Sequence, residues 1–220
     1  MANMQELKRL FEKHKTEYLK RTKKFPPLYK DWSCFKKLTS DFNLHSTRLE
    51  ILSNLVIDSV GEQKNILDIG CNTGLLATRL AMQLTGVRIV AEDLSELQIE
   101  VNNVLKEIFS LNNVTFRQKD ASGESTEKYN VVIMSELLEH FEFESDCQKK
   151  VVKYAKDSLD EDGVLYITVP YEDAIPFSTH FTFFTREMLS KLLEDQGLKV
   201  EYLEYLRSNE MKKHFFIKCT

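Results

Sequence analysis

The 220-residue sequence lacks the features that direct a chain into a membrane or a disulfide-forming compartment. No apolar run is long enough to span a bilayer. The opening residues, MANMQELKRLFEKHK, hold no apolar segment of signal-peptide length, and Ala2 stands where N-myristoylation needs glycine. The cysteines occur singly, with no CxxC pair, which argues against a disulfide framework or a zinc cluster. They are Cys34, Cys71, Cys147 and Cys219. We therefore expect a cytosolic protein with reduced thiols and no membrane partner.

The sequence also lacks an excess of charge of either sign. The net charge is −4 and the pI is about 5.8, with 42% hydrophobic and 29% charged residues, as in ordinary globular proteins. Overall charge therefore does not demand a nucleic-acid partner. The basic run at 20–24, KRTKK, has two interpretations: a contact for phosphates or an acidic substrate, or a solvated helix face.

The first 60 residues have a helical pattern. Apolar residues at helical spacing predict an amphipathic helix within residues 1–24, ended by Pro26 and Pro27. A further helix is predicted over Ser46–Val60, and residues 31–42 have helical potential. We interpret 1–60 as an N-terminal helical extension or lid, and 61–220 as the main domain. The aromatic residues between 25 and 42 either pack these helices onto the main domain or contact the substrate.

From residue 64 the pattern alternates between strand and helix. The predicted strands are 65–69, 87–91, 114–118, 129–134, 164–169, 198–206 and 214–219, and the predicted helices are 75–84, 95–109, 142–159 and 185–196. Alternation of this kind predicts an open α/β sheet of parallel strands joined by right-handed crossovers. The last two strands are close enough in sequence to pair as an antiparallel hairpin.

The segment NILDIGCNTG, residues 65–74, ends a buried strand with an acid and two glycines. In open α/β sheets, ligands bind beyond the carboxyl ends of the strands. Gly70 allows close backbone approach, Gly74 allows close packing where a helix begins, and Asn72 tolerates the left-handed region. The loop does not match G-x-G-x-x-G, so a nicotinamide cofactor is not favoured. Asp68 would repel a pyrophosphate and attract a cation.

Acids also follow the next two predicted strands. Asp93 is placed to accept hydrogen bonds from ribose hydroxyls, and Asp120 to accept one from an exocyclic amine such as that of adenine. A ligand with a cationic part, a ribose and an adenine would use all three acids. Taken singly, each residue also has a structural interpretation as a turn, a helix cap or a solvated loop.

The four segments DIGCNTG, AEDLSE, KDAS and MSELLEHFE together resemble the class I S-adenosylmethionine-dependent methyltransferases over about residues 60–218. The resemblance implies a Rossmann-like, seven-stranded, mostly parallel sheet with an antiparallel last strand. It also implies S-adenosylmethionine as cofactor. The cofactor-binding residues that it implies are Asp68, Gly70, Asn72, Gly74, Asp93, Leu94, Asp120, Ala121, Ser135 and Glu136. The sequence departs from the family at Asn72, where glycine is common.

Two further segments bear on the methyl acceptor. The Glu-His pair in SELLEHFE and the segment HFTFFT resemble ubiquinone-biosynthesis-type O-methyltransferases, which act on small molecules. We therefore expect methyl transfer to an oxygen of a small molecule, with His140 or His180 as the general base.

Two alternatives remain open. Glu136, Glu139, His140 and His180 resemble the metal site of small-RNA 3′-terminal 2′-O-methyltransferases, although metal-free relatives share the Glu-His pair. In that case a divalent cation would hold the terminal ribose hydroxyls of an RNA. The other alternative is a catalytically silent, cofactor-binding partner subunit.

Overall fold

The computed structural model describes residues 9, 12–14, 16–18, 20–21, 46–60, 65–171, 179–207 and 213–220. The described residues between 9 and 21 are helical, as predicted. They lie against the end of the helix Glu96–Ile108, through an ion pair between Arg21 and Glu107 and a ring contact between His14 and Phe109, the residue that follows this helix. The predicted helical stretch at 31–42, the two prolines and the aromatic residues at 25–42 lie outside the described residues.

The main domain is built on a seven-stranded sheet, as the sequence predicts. The strands are β1 Asn65–Ile69, β2 Arg88–Asp93, β3 Val114–Gln118, β4 Tyr129–Ser135, β5 Leu159–Tyr171, β6 Val200–Arg207 and β7 Lys213–Cys219. Their order is β3-β2-β1-β4-β5-β7-β6. The first five strands are parallel, and β7 is antiparallel to both β5 and β6. The order reverses at β1, so the carboxyl ends of β1 and β4 flank the ligand position of an open α/β sheet.

Helices cover both faces of the sheet. They are α1 Ser46–Ser59, α2 Leu75–Gln83, α3 Glu96–Ile108, α4 Asp146–Asp157 and α5 Arg186–Asp195. Apolar residues of α1, α2 and α3 form one core with one face of the sheet, and those of α4 and α5 form a second core with the other face. None of the described helices is long and apolar enough to cross a membrane.

Side-chain caps fix the starts of three helices. Ser95, Ser145 and Thr185 each accept a hydrogen bond from the backbone N–H three residues later. Thr185 is the cap that the sequence predicts, and the predicted stop at Gly197 is left-handed, with φ 74°.

Two predicted boundaries are wrong by four residues or more, the start of the helix predicted at 142 and the start of the strand predicted at 164. The helix predicted over 142–159 begins only at Asp146, because Ser145 caps it and Glu144 has left-handed backbone with φ 56°. At its other end, Leu159 already belongs to β5, where it pairs with Tyr129. The strand therefore starts before the apolar run that marks it in the sequence, because its first residues satisfy backbone groups of β4.

Candidate active site

The loop after β1 has the left-handed conformations that its residues favour. Gly70, Asn72 and Gly74 have φ values of 72°, 45° and 65°. The loop is tied to its surroundings by hydrogen bonds from Cys71 N–H to the Glu92 carbonyl and from Asn102 Nδ2 to the Asn72 carbonyl, at 2.8 and 2.7 Å. The backbone of this loop is therefore fixed before any ligand arrives.

The two glycines have close neighbours where a side chain would begin. A Cβ at Gly74 would lie 2.8 Å from the ring of Phe116 and 2.9 Å from Asn102. At Gly70 it would lie 2.9 Å from the Leu137 side chain. The close packing expected at Gly74 is present, and Gly70 packs against the segment after β4.

Asp93, the last residue of β2, and Asp120, which follows β3, lie at neighbouring strand ends. Asp93 accepts hydrogen bonds from the backbone N–H groups of Asn72 and Ser95, both at 2.9 Å, and the next residue, Leu94, is 67% exposed. Asp120 is exposed and accepts a 2.8 Å hydrogen bond from Ser122 N–H, which lowers its pKa. The partly buried Ala121 follows it. The three acids thus share one edge of the sheet.

Asp68 is the buried member of this set. Its Oδ2 atom has no hydrogen-bond partner among the described residues. Burial, followed by the charge of Asp93, raises its pKa to about 7. A buried carboxylate oxygen without a donor is the group that a ligand ammonium would satisfy. The residues at the loop therefore fit a cofactor with a cationic amino-acid part and a ribose.

Arg48 is a site residue that the sequence analysis missed. It belongs to α1 and is 7% exposed, and it donates hydrogen bonds to Ser135 Oγ and, at 3.3 Å, to Thr168 Oγ1. Its Nε has no partner among the described residues. The only signal of this role in the sequence is an arginine beside the apolar residues of a predicted helix. Such a position does not indicate which strand ends the helix contacts.

Glu136 lies beside Arg48 on strained backbone. Its φ of 54° is unfavourable for a residue with a long side chain, and its N–H donates to the Thr168 carbonyl at 2.9 Å. Its carboxylate lies 3.9 Å from Arg48 Nη1 and 3.3 Å from Nε2 of His214, which is 1% exposed. His214, from the start of β7, is the second residue that the sequence analysis missed.

The structure brings together three of the four suggested metal ligands. Donor atoms of Glu139, His140 and His180 lie within 4.8 Å of one another. The rings of His140 and His180 are 5.0 Å apart, and His140 Nδ1 is 2.9 Å from the Thr179 carbonyl. Glu136 is not in this group. The spacing that would align it with Glu139 requires an α-helix, whereas Leu138–His140 is a single 3₁₀ turn.

Comparison with known proteins identifies the family. A family model described as a methyltransferase domain matches residues 7–203. No curated protein matches the sequence. Among solved structures, the magnesium protoporphyrin IX methyltransferase from Synechocystis PCC 6803, with bound S-adenosylhomocysteine, has a TM-score of 0.67 at 17% identity, with 83% of this chain and 85% of that chain covered.

Two other solved structures show how far the fold is shared. The [4+2]-cyclase SpnF has a TM-score of 0.65 at 15% identity, with 79% of this chain and 80% of that chain covered. Coclaurine N-methyltransferase has a TM-score of 0.60 at 19% identity, with 72% and 51% covered. These identities establish the fold alone, whereas the family model spans most of the chain. The chain therefore belongs to the methyltransferase-domain family and is a class I methyltransferase domain with S-adenosylmethionine as its cofactor.

Proposed function

We propose that the protein transfers a methyl group from S-adenosylmethionine to an oxygen of a small molecule. The observation that carries this proposal is the position of Glu136, at the carboxyl end of β4, with Arg48 and His214 at its carboxylate. An oxygen acceptor must lose a proton as it is methylated, and a fixed carboxylate can take that proton.

We propose a residue for each part of the cofactor. Asp68 would accept from the ammonium group of the methionine part, and Arg48 would hold its carboxylate through the guanidinium group. Asp93 would accept from the ribose hydroxyls, and Leu94 and Ala121 would contact the adenine, with Asp120 at its amino edge. The cofactor, when bound, supplies an electrophilic methyl group on a sulfonium.

Glu136 takes the part of general base that the sequence analysis gave to His140 or His180. The acceptor oxygen forms the new bond to the methyl carbon as the carbon–sulfur bond breaks, and the electron pair stays on sulfur. The acceptor proton passes to the Glu136 carboxylate, whose orientation His214 and Arg48 maintain. The hydrogen bond from Arg48 to Ser135 Oγ connects α1 to the end of β4 beside this position.

The N-terminal segment, residues 1–60, is the proposed lid over the acceptor. The support for this role is the contact of Arg48 with the ends of β4 and β5, since this contact ties α1 to the reaction edge of the sheet. The small-molecule acceptor is supported by two structural neighbours, a magnesium protoporphyrin IX methyltransferase and a coclaurine N-methyltransferase. The assignment to the ubiquinone-biosynthesis type rests only on the motifs around His140 and His180.

A second candidate function is metal-dependent 2′-O-methylation of an RNA 3′ end. It is supported by the grouping of Glu139, His140 and His180, which offers one carboxylate and two imidazole ligands. A divalent cation on these ligands would orient ribose hydroxyls. The sequence suggests four ligands, and the group contains three of them because Glu136 lies outside it. We therefore rank this function second.

Calorimetric titration with S-adenosylhomocysteine, followed by a methyl-transfer screen over phenols, carboxylic acids and RNA oligonucleotides, tests the proposal. We expect binding without added metal and transfer to a small oxygen acceptor. Glu136→Gln should keep cofactor affinity and lower turnover by about 10²–10⁴-fold. Transfer to RNA alone, lost on chelation, would favour the second candidate. Binding without transfer to any acceptor would favour a catalytically silent partner subunit.

A further inference from the structure

One buried ionic network lies outside the site described above. Glu92, at 1% exposure, is the residue before Asp93 on β2. Its Oε1 accepts from Arg117 Nε and Nη2 at 2.7 and 2.6 Å, and its Oε2 accepts from the Tyr154 hydroxyl at 2.8 Å. Arg117 also pairs with Glu127. A carboxylate as deeply buried as Glu92 is costly unless it is fully paired, so its presence needs a reason beyond filling space.

The network spans three elements that meet beside the adenosine position. Glu92 and Arg117 are direct partners in the register of β2 and β3, and Tyr154 comes from α4 on the face above them. The connection from β3 to β4, residues 119–128, contains no helix. The side chains of this network therefore cover part of the sheet that a crossover helix would otherwise cover.

Backbone contacts lead from the network to the ligand residues. The carbonyl of Glu92 accepts from Cys71 N–H in the loop after β1, and the carbonyl of Asp93 accepts from Lys119 N–H at 3.0 Å. Lys119 Nζ also lies 5.8 Å from the ring centre of Tyr154. The bonds to the Glu92 side chain thus restrain the peptide that precedes Asp93. In the same way, the contacts of Arg117 and Tyr154 restrain the segment that carries Asp120.

We propose that Glu92, Arg117 and Tyr154 are positioning residues for the adenosine half of the cofactor. They act through Asp93 and Asp120 without touching the ligand, and this inference rests on the cofactor-site assignments of the proposed function. The bonds from Arg117 and Tyr154 satisfy both oxygens of the Glu92 carboxylate, so the residue that precedes Asp93 on β2 carries no unpaired charge. The carboxylate of Asp93, which we propose binds the ribose, is then held in one orientation.

The test measures binding of S-adenosylhomocysteine by calorimetry to Glu92→Gln and Tyr154→Phe, each shown to be folded by circular dichroism. We expect affinity to fall at least about tenfold, equal to about 1.4 kcal/mol. The same factor should apply to 5′-methylthioadenosine, which lacks the amino-acid part. Glu201→Gln is the matched control, because it breaks an exposed pair with Lys218 at the other end of the sheet and should leave affinity unchanged.

A double-mutant cycle separates positioning from general destabilisation. If Glu92 acts through Asp93, Glu92→Gln should have little further effect on affinity in an Asp93→Ala background. Wild-type affinity in both folded variants, or an undiminished effect of Glu92→Gln in the Asp93→Ala background, would overturn the inference. Absence of binding to the wild-type protein would instead overturn the proposed function itself.

Discussion

The backbone N–H of Asn72 donates a 2.9 Å hydrogen bond to Oδ2 of Asp93, which ties the loop after β1 to the end of β2. In the proposed cofactor site Asp93 therefore has two tasks, to hold this loop and to accept hydrogen bonds from the ribose hydroxyls. We expect Asp93→Ala to weaken binding of S-adenosylhomocysteine by about 1.5–3 kcal/mol, since hydrogen bonds to a charged group are lost. Calorimetric titration measures the change. Unchanged affinity in the folded variant would contradict the ribose assignment.

Asp68 should make the stability of the ligand-free protein depend on pH. Its pKa is about 7 in the fold against 3.8 in the unfolded chain, so the folded state retains a proton that the unfolded state loses. The associated stability is complete below pH 3.8 and is lost as pH rises through 7. We expect the free energy of unfolding to fall by roughly 2–4 kcal/mol between pH 4 and pH 8 on this account.

Asp68→Asn isolates that contribution from other titrating groups. In urea denaturation at several pH values, the unfolding free energy of the variant should increase relative to that of the wild type as pH rises. A difference that stays constant over this range would show that Asp68 does not titrate as its burial indicates. The variant should also bind S-adenosylhomocysteine more weakly above pH 7, because it lacks the carboxylate proposed to accept from the ligand ammonium.

Gly74→Ala should damage both the fold and the cofactor site. An added Cβ would sit 2.8 Å from Phe116 and 2.9 Å from Asn102, on backbone with φ 65°. The left-handed conformation alone costs about 1–2 kcal/mol for a residue with a side chain. Displacing Asn102 also disturbs its bond to the Asn72 carbonyl. Thermal unfolding should show the loss. Gly86→Ala serves as control, because no atom lies within 4 Å of its added Cβ.

The group of Glu139, His140 and His180 allows a direct test of metal dependence. If a divalent cation takes part in the reaction, chelation should abolish turnover, and His180→Ala should raise the metal concentration needed for half-maximal rate. We expect neither effect if oxygen methylation uses Glu136 as base. Methyl-transfer rates with and without EDTA, followed by metal titration, measure this, and restoration by manganese or magnesium would favour the RNA function.

The sequence predicts most of the sheet because its strands carry local signals. β1 and β3 have the predicted limits, 65–69 and 114–118, since each is an apolar or alternating run bounded by turn residues. The conformation of Asn72 also follows from its residue type. Local patterns of this kind depend only on neighbours in the chain, so no tertiary information is needed.

The contacts that the sequence could not predict join residues far apart in the chain. Arg48 and Ser135 are 87 residues apart, and Glu136 meets a histidine from β7. Their meeting depends on the angle at which α1 crosses the sheet and on the register of β5 with β7. The separation of Glu136 from Glu139, His140 and His180 has a local cause. Spacing of three and four residues indicates a shared face only in an α-helix, and its left-handed backbone excludes that geometry.

The position of β7 between β5 and β6 sets an order for assembly of the sheet. β6 is made before β7, yet among the described residues it pairs with β7 and not with β5. During synthesis, the sheet therefore cannot extend beyond β5 until residues 213–219 emerge, and β5 keeps an unpaired edge until then. Such an edge can pair with other chains, so the nascent protein is most exposed to aggregation in this interval.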